Sequence, residues 1–420
     1  MIVNNGDMEN NSTKLKRILS VMEELKSNGH KPMTLLGACP NSMSVIKASF
    51  RAAKRNNAPI IFVATLNQVD CDGGYTGMTQ SDFVKVLKQE ARRYDYTGDY
   101  VIAIDHGGPW LKDRQTIEKW SYEKAMEGVK HSFEKAVEAG YDMIHVDPTV
   151  DRTLPKGEII NIETVAARTI ELITHVENYR KSIGKPKISY EVGTEEVHGG
   201  LANQDVFNKF LVLLKDGLER NGCSDAWPDF IVGKVGTDLS TTYFDPEVAR
   251  NLTCTVAKYG SYIKGHYTDG VENPEEYPLC GMGAANVGPE FTISEYDALE
   301  ELEGIEKNLY DEGRIALLSG MTKTVENLVV ESGRWTKWVE EGESSEDFYS
   351  IGKDRRRWLV STGARYIWQN PAALAARHTL YDNLKENGIE AEDIVLSNIE
   401  KDIDKYFNAF NIVNLNDHLK

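Results

Sequence analysis

Two rhythms of apolar residues alternate along most of the chain. Short runs rich in β-branched residues occupy Leu35 to Cys39, Pro59 to Thr65, Tyr100 to Asp105, Met143 to Asp147, Lys187 to Val192, Phe230 to Val235, Ser261 to His266 and Met282 to Val287. Between them lie stretches of 3.6-residue periodicity: Val45 to Arg55, Ser81 to Arg93, Thr116 to Ala139, Ile162 to Ser182, Asp205 to Arg220, Asp245 to Lys258, a short piece near Glu272, and Ser294 to Leu309. Eight strand-then-helix units over about 275 residues fit an α/β fold of the (β/α)8 TIM-barrel type, for which roughly 250 residues is usual. An open doubly wound sheet would carry GxGxxG after its first strand, and here that strand ends in Ala38-Cys39-Pro40-Asn41-Ser42. No nucleotide cofactor is expected.

The flanks differ from the barrel. Residues 1–12 are polar and Asn-rich and read as a disordered tail. From Ser12, taken as the N-cap, Leu15, Ile18, Leu19, Met22 and Leu25 repeat at helical spacing up to a stop at Asn28-Gly29. This leading helix belongs with a barrel domain over 13–310. Beyond it, 311–420 shows helical patterning alone, with several tryptophans and the run Arg355-Arg356-Arg357, and reads as a helical extension packed on the barrel or on a second subunit.

Charge narrows the function. Lys and Arg number 48 against 65 Asp and Glu, a net charge of −17, so a polyanion-binding surface is not expected and nucleic acid is not a partner. No run approaches the roughly 18–20 apolar residues of a membrane span, and the N-terminus lacks a basic-then-apolar signal. A cytoplasmic protein without membrane association is expected. Five dispersed cysteines, none in a CxxC pair, read as reduced thiols.

In such a barrel the active site collects at the C-terminal ends of the strands. The polar residues there are Asn67 and Gln68, Asp105 and His106, His145 and Asp147, Glu191 and Glu195, Lys234 and Asp238, His266 and Asp269, and Asn286. Nine histidines scattered at random would seldom put three at successive strand ends, so His106, His145 and His266 are read as ligands of a divalent ion, Zn²⁺ or Mn²⁺. Such an ion polarises a sugar carbonyl while Asp105 and Glu191 move protons. Asn67, Gln68, Asp147, Glu195, Lys234, Asp269 and Asn286 are the candidates for contacting substrate. The loop Gly73-Gly74-Tyr75-Thr76-Gly77-Met78-Thr79, with Gly74 at its centre, either presents amides to a phosphate or is a tight βα turn that needs positive φ. Arg355 to Arg357 read as a solvated helix face.

Several of these segments together resemble one family. Asn67-Gln68-Val69 with the glycine loop, Asp105-His106 with Gly108-Pro109, Ile144-His145-Val146-Asp147, Tyr190 to Glu195, His266 with Thr268-Asp269, and Asn286-Val287-Gly288-Pro289 are similar to the GatZ/KbaZ family, the Z-type subunits of class II D-tagatose-1,6-bisphosphate aldolase. Asp354 to Leu384 resembles the family's C-terminal helical region. The resemblance implies a (β/α)8 barrel and ketose phosphate catabolism, and a homo-oligomer is expected. It also implies one of three roles: a metal-assisted aldolase cleaving C3–C4 of a ketose, a metal-dependent ketose or ketose-phosphate 4-epimerase, or an accessory partner of a Y-type aldolase subunit. Class II relatives place zinc on histidines at strands three, six and seven. His106 and His266 match the first and third, whereas strand six ends in Gly233-Lys234-Val235-Gly236 without a histidine.

Overall fold

The computed structural model describes residues 12–155, 158–194, 204–237 and 241–420. Eight parallel strands close in chain order: β1 (Leu35–Ala38), β2 (Ile60–Thr65), β3 (Tyr100–Gly107), β4 (Met143–Val146), β5 (Ser189–Gly193), β6 (Phe230–Val232), β7 (Tyr262–Gly265) and β8 (Ala284–Val287), with β8 returning to β1. The fold is the (β/α)8 barrel. Its strands are apolar because they are covered on both faces, as in β2, where five of six residues are buried.

Helices α1 (Lys14–Ser27), α2 (Met43–Asn56), α3 (Gln80–Arg93), α4 (Asp113–Ile117), α5 (Tyr122–Ala139), α6 (Ile162–Ser182), α7 (Gln204–Arg220), α8 (Pro246–Ala257), α9 (Glu276–Leu279) and α10 (Pro289–Asp311) lead into, connect and follow the strands. Side-chain caps on Ser42, Thr79, Ser121, Asn161 and Asp245 take first-turn amides and fix where the helices begin. Thr79 and Asp82 form a reciprocal capping box.

Local chemistry shifts several expected boundaries. Thr13 rather than Ser12 caps α1, accepting the Lys16 amide at 3.2 Å. The expected helix from Thr116 to Ala139 is two helices, because Lys119 turns left-handed (φ 50°) and Ser121 starts α5 anew. The last barrel helix starts at Pro289, ahead of Ser294, since proline suits the first helical position and Asp269 Oδ1 accepts the Gly288 and Glu290 amides at 2.8 Å. Residues 1–11 of the expected tail lie outside the described residues.

The extension contains α11 (Met321–Ser332), α12 (Lys353–Gly363), α13 (Pro371–Lys385) and α14 (Ala391–Ala409). It is fastened to the barrel of its own chain: α14 lies against α2 and α10, and its buried Glu400 pairs with Arg51 at 2.6 Å and with Arg55. Tyr406 donates to the Thr268 carbonyl at 2.8 Å, which reaches the loop after β7. Arg355 and Arg357 are spent on structure, Arg355 on Glu343 and Arg357 on Asp297 and Glu300 of α10. No described helix is long and apolar enough to cross a membrane.

Candidate active site and metal centre

A cavity of about 340 Å³ opens at the C-terminal ends of the strands, within the size range of small-molecule sites. Its floor includes Asp105, His106, His266 and Asn286, and one wall comes from the extension through Arg334, Lys337, Trp338, Arg365 and Tyr366.

Asp105 and His106 are neighbours in sequence, and a regular strand would send them to opposite faces. Both reach the cavity because the β3–β4 register slips between Ile104 and Gly107 and His106 adopts a left-handed backbone, φ 45°. Tyr267, next to His266, is likewise left-handed at φ 55°. A non-glycine residue held this way stores strain, which concentrates at functional sites. Gly108 permits the approach of β3 to β4, since a Cβ there would overlap the Asp147 carbonyl oxygen. The approach brings His106 Nδ1 to 2.7 Å from Asp147 Oδ2, and the His106 amide donates to His145 Nδ1 at 3.1 Å. The other oxygen of Asp147 accepts from the Thr149 hydroxyl at 2.5 Å.

His266 is held in a matching way. Its Nε2 lies 2.8 Å from Glu191 Oε1, and Glu191 Oε2 accepts from Lys264 Nζ at 2.6 Å. Burial opposes the charges of Asp147 and Glu191, yet the surrounding imidazoles, and Lys264 for Glu191, hold both carboxyls below the usual range. Ionised carboxylates accept hydrogen bonds, so the outer nitrogens, His106 Nδ1 and His266 Nε2, carry the protons. The inner nitrogens, His106 Nε2 and His266 Nδ1, are left with lone pairs that face each other at 2.8 Å. Two lone pairs repel unless a cation lies between them. Burial, opposed by Asp105, lowers His266 to about 4, so this ring is neutral near pH 7. The donor set fits a divalent metal ion, with each ligand oriented by a carboxylate as metal-bound histidines usually are.

Two further groups complete the cluster. Ligand atoms of Asp105, His106, His145 and His266 all lie within 4.8 Å of one another. His145 Nδ1 is 3.4 Å from Asp105 Oδ1 and 3.7 Å from Glu191 Oε1, while its Nε2 is buried without a hydrogen-bond partner. Asn286 Nδ2 donates to Asp105 Oδ1 at 3.2 Å, and although burial raises the Asp105 carboxyl, the His106, His266 and His145 imidazoles and Lys264 outweigh it and leave the group well below the ordinary carboxylate range.

The remaining residues singled out from sequence divide by placement. Asn67, Gln68, Asp269 and Asn286 line the cavity. Asn67 and Gln68 also tie their loop to its neighbours, Asn67 between the Leu111 carbonyl and the Asp113 amide after β3, Gln68 between the Thr65 amide and Asn41 after β1. Asp269 is buried, which pushes it up to about 6 despite the two amides it accepts. Asp147 and Glu191 stand behind the histidines. Gly74 and Lys234 are not among the cavity-lining residues, and Lys234 is half-buried after β6. In the glycine loop the amides of Gly73, Gly74, Tyr75 and Thr76 are all donated within the loop, to Asp70, Asp72, Asn67 and Gln68. This is the arrangement of a tight turn. Glu195 and Asp238 lie outside the described residues.

Sequence reasoning passed over Lys264 and the cationic wall. Lys264 was detectable: it lies two residues before His266, on the same face of a strand otherwise apolar. Arg334, Lys337 and Arg365 carry no local signal, because only the packing of the extension brings them to the mouth.

Comparison with known proteins follows the same lines. Residues 19–409 match the family model described as D-tagatose-1,6-bisphosphate aldolase subunit GatZ/KbaZ-like. A D-tagatose 6-phosphate 4-epimerase from Agrobacterium fabrum (strain C58) is 27% identical over 381 residues, covering 84% of each chain. Among solved structures, a probable tagatose 6 phosphate kinase from Sinorhizobium meliloti 1021 superposes with a TM-score of 0.74 at 23% identity, over 90% of this chain and 100% of that one. Fructose-bisphosphate aldolase from Campylobacter jejuni gives 0.53 at 13% identity over 94% of each. These two structural likenesses speak to the fold.

Proposed function

The chain belongs to the D-tagatose-1,6-bisphosphate aldolase subunit GatZ/KbaZ-like family, and on that premise we propose that it is a metal-dependent epimerase inverting C4 of a ketose phosphate. One observation carries the reading: a single chain brings two imidazole nitrogens, His106 Nε2 and His266 Nδ1, to face each other at 2.8 Å, each ring backed by a carboxylate, beside a cavity-lining Asp105. The Agrobacterium relative, described as a D-tagatose 6-phosphate 4-epimerase, supports this choice among the family's activities.

His106 and His266 would hold the ion, zinc or manganese, which when bound polarises the ketose carbonyl, while His145, whose Nδ1 accepts the His106 amide, is a positioning residue beside them. Asp105 touches the substrate side of the cluster, with Asn286 fixing its Oδ1. Its carboxylate takes the proton of the C4 hydroxyl as the C3–C4 bond breaks, the bond's electron pair passing toward the C2 carbonyl to leave a three-carbon enolate and the C4 carbon leaving as an aldehyde. The aldehyde turns over, the bond re-forms on its other face, and Asp105 returns the proton, so no atom is gained or lost. Glu191 is a positioning residue, fixed by Lys264 and fixing His266. The wall of Tyr75, Trp338 and Tyr366 retains the aldehyde fragment. Escape of that fragment would be aldolase chemistry by the same first step. The setting proposed is the cytoplasm.

The test incubates the purified chain with Mn²⁺ or Zn²⁺ and tagatose 6-phosphate, fructose 6-phosphate, tagatose or tagatose 1,6-bisphosphate. Interconversion of the 6-phosphates is the expected result. Triose phosphate would make the chain an aldolase, and turnover only after adding a Y-type chain would make it an accessory subunit.

A further inference from the structure

Arg365 sits on the extension yet lines the barrel cavity, and its side chain is buried at 7% exposure. A guanidinium there needs partners for five N–H groups. Nη2 donates to the Tyr366 hydroxyl at 2.9 Å, whereas Nη1 is buried with no hydrogen-bond partner. The ring faces of Tyr366 and Trp338 lie 4.7 and 5.5 Å from its central carbon and hold the group in place without neutralising it. Leaving a buried cationic donor unmatched is costly, so the site is built for something that arrives.

The neighbours have the same sign. Arg334 and Lys337 line the same wall and share one carboxylate, Asp113, with Lys337 at 2.6 Å. Three cations therefore face one acid on this wall. Asp269 also lines the cavity and acts on Arg365 through space, while its Oδ1 accepts the Gly288 and Glu290 amides. Burial raises the Tyr366 phenol, yet Arg365, Arg334 and Lys337 outweigh it and bring the group below its ordinary value. That is the response of a hydroxyl in a positive local field.

We infer that Arg365, with Arg334, Lys337 and the Tyr366 hydroxyl, forms the subsite that binds the phosphate monoester of the substrate. The inference rests on the ketose-phosphate reading and adds to it. The phosphate is gripped by the C-terminal extension, not by the glycine loop, whose Gly73 to Thr76 amides are used internally. Among the described cavity-lining residues this is one cationic wall, opposite in character to the Asp105 and histidine cluster. It suits a sugar carrying a single phosphate, with its reacting carbons over the histidines.

The test is binding, read separately from turnover. Thermal shift and calorimetry on the metal-loaded protein use inorganic phosphate, fructose 6-phosphate and fructose as probes. Fructose 6-phosphate is expected to bind and to be displaced by phosphate, with fructose much weaker. Arg365→Met should weaken both phosphorylated probes by roughly 10–100-fold, the scale of one lost charged hydrogen-bond partner, with metal content and fructose binding unchanged. Arg334→Met, at a more exposed position, should give a smaller loss in the same direction and stands in if Arg365→Met does not fold. Arg365→Lys should restore part of the binding. Unchanged affinity for fructose 6-phosphate in folded Arg365→Met and Arg334→Met, or phosphate that fails to compete in the parent protein, overturns the subsite. Phosphate-dependent binding lost in the variants of a chain that turns over no ketose would leave the subsite standing and remove the epimerase.

Discussion

Lys264 Nζ donates to Glu191 Oε2 at 2.6 Å with both side chains fully buried inside the barrel. Desolvating two charges is costly, and their attraction offsets it only while both are present. The second oxygen of Glu191 holds His266, so the pair couples the barrel interior to the histidine cluster.

Removing one partner should therefore be worse than removing both. Lys264→Met strands a buried carboxylate and should destabilise the protein by about 3–5 kcal/mol. Adding Glu191→Gln to it should recover a substantial part of that loss. Urea unfolding of the two variants, with unchanged m-values as the control, decides the point, and equal destabilisation would show that the charges are not coupled.

Asp147 lies behind His106 and is predicted to act through it. Asp147→Asn removes the charge that keeps the proton on His106 Nδ1, and metal affinity should fall by roughly 10–100-fold, the usual effect of losing such a partner. Competition with a chromophoric chelator measures it. His106→Ala and His266→Ala should lose stoichiometric metal altogether. An Asp147→Asn protein with parental affinity would place the metal elsewhere.

Acid should weaken the metal-free protein through His266. Burial lowers its imidazole from 6.5 to about 4, so between these values the unfolded chain binds the extra proton and stability falls as the pH drops. The full contribution is up to about 3 kcal/mol, present above pH 6.5 and lost as the pH falls through 4. Asp105 and Glu191, held below the ordinary carboxylate range, lose their stabilisation at lower pH still. The slope of stability against pH from 6.5 to 4 should be shallower in His266→Asn. Parallel curves would mean that His266 is not buried as a neutral base.

Much of this was legible because it is local. β-branched runs bury both faces of a strand, caps such as Thr79 fix helix starts, and a histidine placed just after such a run is carried to the barrel mouth by the topology. His106, His145 and His266 were found this way. The boundary errors were local too: Lys119 and Pro289 act through backbone geometry that apolar periodicity does not record.

What the sequence determined by itself is the barrel and the imidazole cluster at its mouth, because both follow from the period of two in strands and the order of alternating units. The tertiary structure alone decided three things. It slipped the β3 register so that Asp105 and His106 share one cavity, it buried Lys264 against Glu191, and it folded residues 334–366 back over the strands. Each depends on contacts between residues far apart in the chain, such as Arg334 with Asp113 or Tyr406 with Thr268, where the free energy of packing, and not any local preference, selects the partner.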